Sequence, residues 1–173
     1  MGLVQDGPTP ARLALMALDA VVAWLFASRA AQLAESSPRE LMLALPSLVL
    51  GGWAFSQATP TVEWPLGASA LFGVGALWTA ASLLSLGRSF AVLPALRQLV
   101  ECGPYRWLRH PAYAGEALLV GACVWAGGPW EAGVALIPAL VLRIRAEERV
   151  LAADPGWEAY QERVRWRLVP LLW

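Results

Sequence analysis

Two runs of this chain hold residues whose types and spacing could do chemistry. The first is Gly103-Pro104-Tyr105-Arg106-Trp107-Leu108-Arg109-His110-Pro111-Ala112-Tyr113-Ala114-Gly115-Glu116. Pro111 suits the first turn of a helix, where its missing N–H costs nothing. That helix start offers free N–H groups and the positive end of a dipole. Arg109, Tyr113 and Glu116 recur at i, i+4 and i+7, so they share one helical face. Charge on a helix that enters a membrane is costly unless it lines a polar cavity. The plainer reading is interfacial anchoring, with arginines and aromatic rings at headgroup level. Anchoring requires neither Glu116 inside the helix nor a glycine beside it.

The second run is Arg143-Ile144-Arg145-Ala146-Glu147-Glu148-Arg149. Arg143 and Glu147 are four apart, Arg145 and Glu148 three apart. Surface ion pairs on a helix are therefore the simple expectation, and such pairs contribute little. A third group, Trp157, Tyr160, Arg163 and Arg165, is spaced to put Trp157, Tyr160 and Arg163 along one face of a tail helix. The alternative there is a helix lying flat on anionic headgroups.

The elements that position these residues are predicted to be membrane helices. The 173 residues are 58% hydrophobic and 15% charged, whereas a soluble domain carries about a quarter charged residues. A spanning helix needs about 20 apolar residues. Leu13 to Ala34, Leu41 to Phe55 with Pro46 as a possible kink, and Trp64 to Leu86 are the first three candidates. Gly73-x-Gly75 in the third allows close helix contact. Gly87 to Arg109 is too charged to span. Ala112 to Trp125 and Trp130 to Ile144 follow, turned by Gly127-Gly128-Pro129 into a helical hairpin, and the tail from Arg145 is partly helical.

The expected fold is all-α, a polytopic membrane protein of about five transmembrane helices with a C-terminal hairpin and a cytoplasmic tail. It forms a single domain over 1–173, with N-terminal helices in 1–86 and the chemistry in 87–173. Five spans put every arginine except Arg12 on one side. That side is expected to be cytoplasmic, with the N-terminus outside and an integral, bacterial inner-membrane location. Asp6 and the lack of a basic n-region argue against reading residues 1–10 as a signal peptide. Asp19 is an acid in the first helix with only Arg12 near it in sequence.

The same counts bound the function. All 13 basic residues are Arg and the net charge is zero, which gives no electrostatic case for nucleic acid. Cys102 and Cys123 are the two cysteines and His110 is the one histidine, so neither a disulfide framework nor a metal site is expected.

The ordered set Leu86-Gly87-Arg88-Ser89-Phe90, Leu99-Val100, Gly103-Pro104-Tyr105-Arg106, Arg109-His110-Pro111-x-Tyr113-x-Gly115-Glu116 and Glu147-Glu148 resembles the isoprenylcysteine carboxyl methyltransferase family. Phospholipid N-methyltransferases are similar in the same region. The resemblance runs from about residue 86 to 165. It implies a membrane-embedded S-adenosylmethionine site built from Tyr105, Arg109, His110, Pro111, Tyr113, Gly115, Glu116, Glu147 and Glu148. It also implies a catalytic group of Arg163, Glu148 and Tyr160, with Arg163 orienting the acceptor. If the acceptor is an amine or a thiol, Glu148 and His110 are the candidate bases. The tail departs from the family pattern at Trp157 and Arg165, so the acceptor is expected only to be a lipid-like or apolar small molecule entering from the bilayer. Oligomeric state is not legible. Two rival readings are an NADPH-dependent membrane reductase of the sterol-reductase type and a non-enzymatic scaffold with a lipid-binding face.

Overall fold

In the computed structural model, residues 10–28, 38–58, 64–90 and 99–173 are described. Among them six α-helices account for the regular structure and no strand occurs. They are α1 (Pro10–Ser28), α2 (Pro38–Gln57), α3 (Leu66–Leu86), α4 (Pro111–Trp125), α5 (Trp130–Leu151) and α6 (Trp157–Arg163), with short 3-10 turns at Gly87–Ser89 and Gly103–Arg106. The all-helical expectation and the hairpin both hold. Proline marks the starts: Pro10, Pro38 and Pro111 are first residues of their helices, where no N–H is needed. Gly127, at φ 93°, turns α4 back toward α5. The chain around Ser36-Ser37, the 59–63 loop and most of the stretch before Leu99 lie outside the described residues.

The helices pair as α3 with α4, α2 with α5, and α1 with α3. The α3–α4 seam is close because small residues sit in it. A Cβ on Gly75 would come within 3.1 Å of the Leu118 Cβ and 3.2 Å of the Leu119 nitrogen, and one on Gly115 would collide with the Thr79 side chain. A Cβ on Gly73 would meet open space, so only Gly75 of the Gly73-x-Gly75 pair serves the contact. Trp78 adds a directional bond across the seam, its Nε1 donating to the Pro111 carbonyl at 2.9 Å. The core gathers Phe72, Val120, Cys123, Leu136 and Leu140, with Phe72 meeting Trp64 edge-on at 5.3 Å.

The outer surface is apolar. Leu13, Met16 and Trp24 on α1, Met42 and Val49 on α2, Leu66 and Leu77 on α3, and Val134 and Ile137 on α5 are all exposed. Stripes of this kind on several helices need an apolar solvent. Two helices, Pro10–Ser28 and Leu66–Ser89, are long and apolar enough to cross a membrane, and Met42–Gln57 is a shorter apolar helix. Among the described residues, length and hydropathy alone thus support two spans and do not confirm the expected five. α4 has 15 residues, about 22 Å of helix against a hydrocarbon core of about 30 Å. The last turns of α5 carry the Arg143–Arg149 charges, so its apolar stretch is also short.

Candidate functional site

The hairpin and the tail come together at the end of the bundle where α4 begins and α5 ends. Backbone hydrogen bonds make that junction. The Arg109 N–H donates to the Trp166 carbonyl at 2.8 Å and the His110 N–H to the Arg167 carbonyl at 2.9 Å. The N–H groups of Tyr113 and Ala114 both turn to the His110 carbonyl. The start of α4 is thus largely satisfied by the tail and by its own first turn, rather than left open to an anion.

Around this junction the two acidic neighbours on α5 part company. Glu148 is buried and bound on several sides. Arg109 Nη1 donates to its Oε1 at 2.8 Å, Arg167 Nε reaches Oε1 at 3.0 Å and Oε2 at 2.9 Å, and His110 Nε2 lies 3.3 Å from Oε1. Glu147 faces the other way and lines a cavity. The Tyr113 hydroxyl donates to its Oε2 at 2.5 Å, and His110 Nδ1 stands 3.6 Å from the same oxygen. Pairs across elements meet at Glu148, because the α4 start and the tail bring three donors to one buried carboxylate.

His110 is the hinge of this arrangement. Its ring stacks on Tyr113 with centroids 5.7 Å apart and planes 8° from parallel. Burial pushes the imidazole toward neutrality, but hydrogen bonds and charge from Glu147 and Glu148 outweigh it, and its pKa is raised. In the part of α5 beyond residue 144, burial likewise opposes ionisation of Glu147 and Glu148, yet hydrogen bonding and charge from His110 hold both carboxyls below the ordinary value. Arg109 is the reverse case: burial lowers it despite Glu148. Its Nε is buried with no hydrogen-bond partner among the described residues.

The cavity has a volume of about 520 Å3, within the usual range for small-molecule sites. Tyr105, Arg109, His110, Tyr113, Glu147 and Tyr160 line its polar end. Leu15 and Val22 of α1, Leu48 and Phe55 of α2, Phe72 of α3 and Val120 of α4 line the rest. One helical turn in from Tyr113 and Glu147 lie Glu116 and Arg143, also on the wall. Arg143 Nη1 bonds Ser47 Oγ at 2.7 Å and approaches Glu116 Oε2 at 3.4 Å, and its guanidinium lies 4.6 Å over the Tyr113 ring.

Of the residues the sequence singled out, Tyr105, Arg109, His110, Tyr113, Glu116, Glu147 and Tyr160 meet at this cavity. The Tyr160 hydroxyl donates to the Tyr105 carbonyl at 2.9 Å, tying α6 to the 3-10 turn. Burial, with Glu101 nearby, pushes the Tyr160 phenol above its ordinary value. Pro111 and Gly115 are buried in the helix packing, and Glu148 braces the junction. Arg163 is not brought in: its side chain is 54% exposed and ion-paired to Glu101. The tail face of Trp157, Tyr160 and Arg163 is therefore split, with two residues in and one out, since α6 ends at Arg163.

Sequence reasoning passed over Arg143 as a site residue, along with Arg167, Ser47 and the α2 wall. The signal for Arg143 was its place one turn before Glu147 on the same face. Asp19 is exposed on α1. No group of three metal-ligating side chains occurs among the described residues.

Residues 68–153 match the Isoprenylcysteine carboxyl methyltransferase (ICMT) family. The match runs from α3 through α5 and contains Tyr105, Arg109, His110, Tyr113, Glu116, Arg143, Glu147 and Glu148. No curated protein matches the chain as a relative. The polar-ended cavity between apolar helices lies within or against the matched stretch, and the chain belongs to the isoprenylcysteine carboxyl methyltransferase family, which makes it a membrane methyltransferase in general terms.

Proposed function

We propose that this chain is an S-adenosylmethionine-dependent membrane methyltransferase acting on a lipid-like or apolar small acceptor. One observation carries the reading: a single cavity joins a polar end containing Glu147, Tyr113, His110 and Arg109 to an apolar end walled by α1, α2 and α3. A polar cofactor and an apolar acceptor can therefore share one cavity.

The donor set fits the cofactor. An ammonium and ribose hydroxyls need acceptors, and Glu147 offers a carboxylate on the wall. A carboxylate needs donors, and Arg109 lines the same end with a buried Nε N–H left over. When bound, S-adenosylmethionine supplies a methyl group activated by its bond to a positively charged sulfur. The protein's part is to hold and to exclude. Tyr113 and His110 fix the Glu147 carboxylate. Glu148, locked by Arg109, His110 and Arg167, keeps the tail closed against the start of α4. Tyr160 and Tyr105 close the polar end, and the leucines and phenylalanines keep the reacting end dry. The gain in rate on this reading comes mainly from positioning two reactants in line.

The five-helix bundle lies in the membrane on this account, with α2, α4 and α5 crossing a bilayer locally thinned around short spans. The distribution of the arginines supports a polar end on the cytoplasmic side and an N-terminus outside. Nothing in the cavity favours a nicotinamide cofactor or a purely scaffolding role. Titration calorimetry in detergent with S-adenosylmethionine, S-adenosylhomocysteine and NADPH tests the proposal. Heat with the first two and none with NADPH is expected. Silence with both methyl-cycle ligands would sink it.

A further inference from the structure

A guanidinium inside an apolar bundle is tolerated only where its charge and its N–H groups are answered. Arg143 on α5 is buried, and α2 and α4 both answer it. From α4, Glu116 Oε2 stands 3.4 Å from Nη1, and the Tyr113 ring lies 4.6 Å from the guanidinium carbon. From α2, Ser47 Oγ accepts from Nη1 at 2.7 Å, the closer of these two oxygen contacts. Ser47 is fully buried, and its oxygen lies 3.3 Å from the Ala44 carbonyl of its own helix. A hydroxyl offers one donor and two lone pairs, so it can lean on Ala44 and still accept from Arg143.

What Arg143 holds in turn matters at the polar end of the cavity. A cation over an aromatic face is attracted to it, the more so where water is excluded. The His110 ring stacks on the same tyrosine. With its ring fixed in this way, Tyr113 aims its hydroxyl at Glu147 Oε2 and donates to it at 2.5 Å. Glu147 lies on the cavity wall. A line of contacts therefore runs from α2 to the α5 carboxylate through Ser47, Arg143, Tyr113 and Glu147. Ser47 is the one member outside residues 68–153, the stretch that matches the family. It does not line the cavity, so any effect it has on a bound molecule passes through the others.

We propose that Ser47 is a positioning residue for the cofactor. Its oxygen holds Arg143 against the Tyr113 ring, so that Tyr113 presents the Glu147 carboxylate to the cofactor's ammonium or ribose hydroxyls. Without that oxygen, Glu116 is the oxygen partner that remains in reach of Nη1. The guanidinium is then drawn toward Glu116, and the Tyr113 ring loses its support. The next residue, Leu48, lines the apolar part of the cavity. One turn of α2 thus serves both ends of the space. The role rests on the methyltransferase reading, in which Glu147 receives the cofactor.

The test uses the whole chain in detergent and reads binding. S-adenosylhomocysteine is titrated calorimetrically into the unaltered chain, Ser47→Ala, Tyr113→Phe and the double variant. Ser47→Ala is expected to weaken binding about fivefold, the worth of roughly one hydrogen bond. In Tyr113→Phe the link from the ring to Glu147 is already cut, so adding Ser47→Ala is expected to cost less than about twofold more. A loss of stability alone does not give this pattern. Leu136→Ala, a core change off the cavity wall, is expected to lower the unfolding midpoint with affinity unchanged. If Ser47→Ala does not fold, Ser47→Cys, close in size and a weak acceptor, takes its place. Equal affinity in the Ser47 variant and the unaltered chain, or the same loss with and without the Tyr113 hydroxyl, overturns the role alone. An unaltered chain that does not bind S-adenosylhomocysteine overturns the methyltransferase reading and the role with it.

Discussion

Arg167 Nε reaches both oxygens of Glu148, at 3.0 and 2.9 Å. That contact fastens the last segment of the chain to α5, while Arg109 fastens the start of α4 to the same carboxylate. Glu148 is therefore the point where hairpin and tail are locked together. Its oxygens are engaged by cations, which makes it a brace and a poor candidate for taking a proton from an acceptor.

The first consequence concerns stability. Glu148→Ala leaves two guanidinium groups and an imidazole without their common partner. Removing one partner of a buried pair is costly, and partial exposure of Arg167 reduces the cost, so a loss of about 2 kcal/mol is expected. Thermal unfolding in detergent measures it. Arg167→Lys is expected to recover only part of what Arg167→Ala loses, because an ammonium cannot reproduce the guanidinium contact. An unchanged midpoint for Glu148→Ala contradicts the brace.

The second concerns pH. The His110 pKa is raised on folding, so its contribution is complete below the unfolded value near 6.5 and fades as pH rises through the folded one. The Glu147 and Glu148 values are lowered, so their contribution is complete above the unfolded value near 4.5 and fades as pH falls through the folded ones. Together the cluster stabilises most between pH 4.5 and 6.5. The unfolding midpoint is expected to decline from pH 6.5 toward 8, and His110→Gln is expected to flatten that decline. A midpoint that rises over this interval in the unaltered chain speaks against a charged His110.

The third concerns the α3–α4 seam. A Cβ at position 115 would stand 3.1 Å from the Thr79 nitrogen besides colliding with the Thr79 side chain. Gly115→Ala is expected to cost about 1–3 kcal/mol by overpacking. Adding Thr79→Ala is expected to restore part of it. Equal stability of Gly115→Ala and the unaltered protein in a denaturation series would show that the seam is looser than described.

The fourth concerns Arg163. If its role runs through Glu101, then Arg163→Ala, Glu101→Ala and the double variant form a non-additive set. Turnover is expected to fall more than cofactor affinity in Arg163→Ala, since the residue lies off the cavity wall but ends α6, which carries Tyr160 to that wall. Full additivity of the two losses would separate Arg163 from Glu101.

Much of this was legible before the fold. The i, i+3 spacing of Tyr113 and Glu116 placed two cavity residues on one face of α4, and Pro111 marked where α4 starts; Arg109 lies before the helix and reaches the cavity from the preceding segment instead. The hairpin brought Glu147 and Glu148 back to the same end because Gly127 turns the chain. Local spacing could not tell the two acids apart. Glu148 points at Arg109 and Arg167, which are distant in sequence, and only the packing of the tail decides that. Nor could it find Ser47, Gly51 and Leu48, since α2 carries no charge pattern there and joins the cavity through its pairing with α5. The count of five spans is not confirmed by length and hydropathy, because α4 and the apolar part of α5 are short.

Cofactor binding at Glu147 tests the central claim most directly. S-adenosylhomocysteine is titrated calorimetrically into the detergent-solubilised chain and into Glu147→Gln, with thermal unfolding confirming that both are folded. The account predicts saturable heat for the unaltered chain and affinity at least about tenfold weaker for Glu147→Gln, about 1.4 kcal/mol. No heat with the unaltered chain, or equal affinity in both, would contradict it.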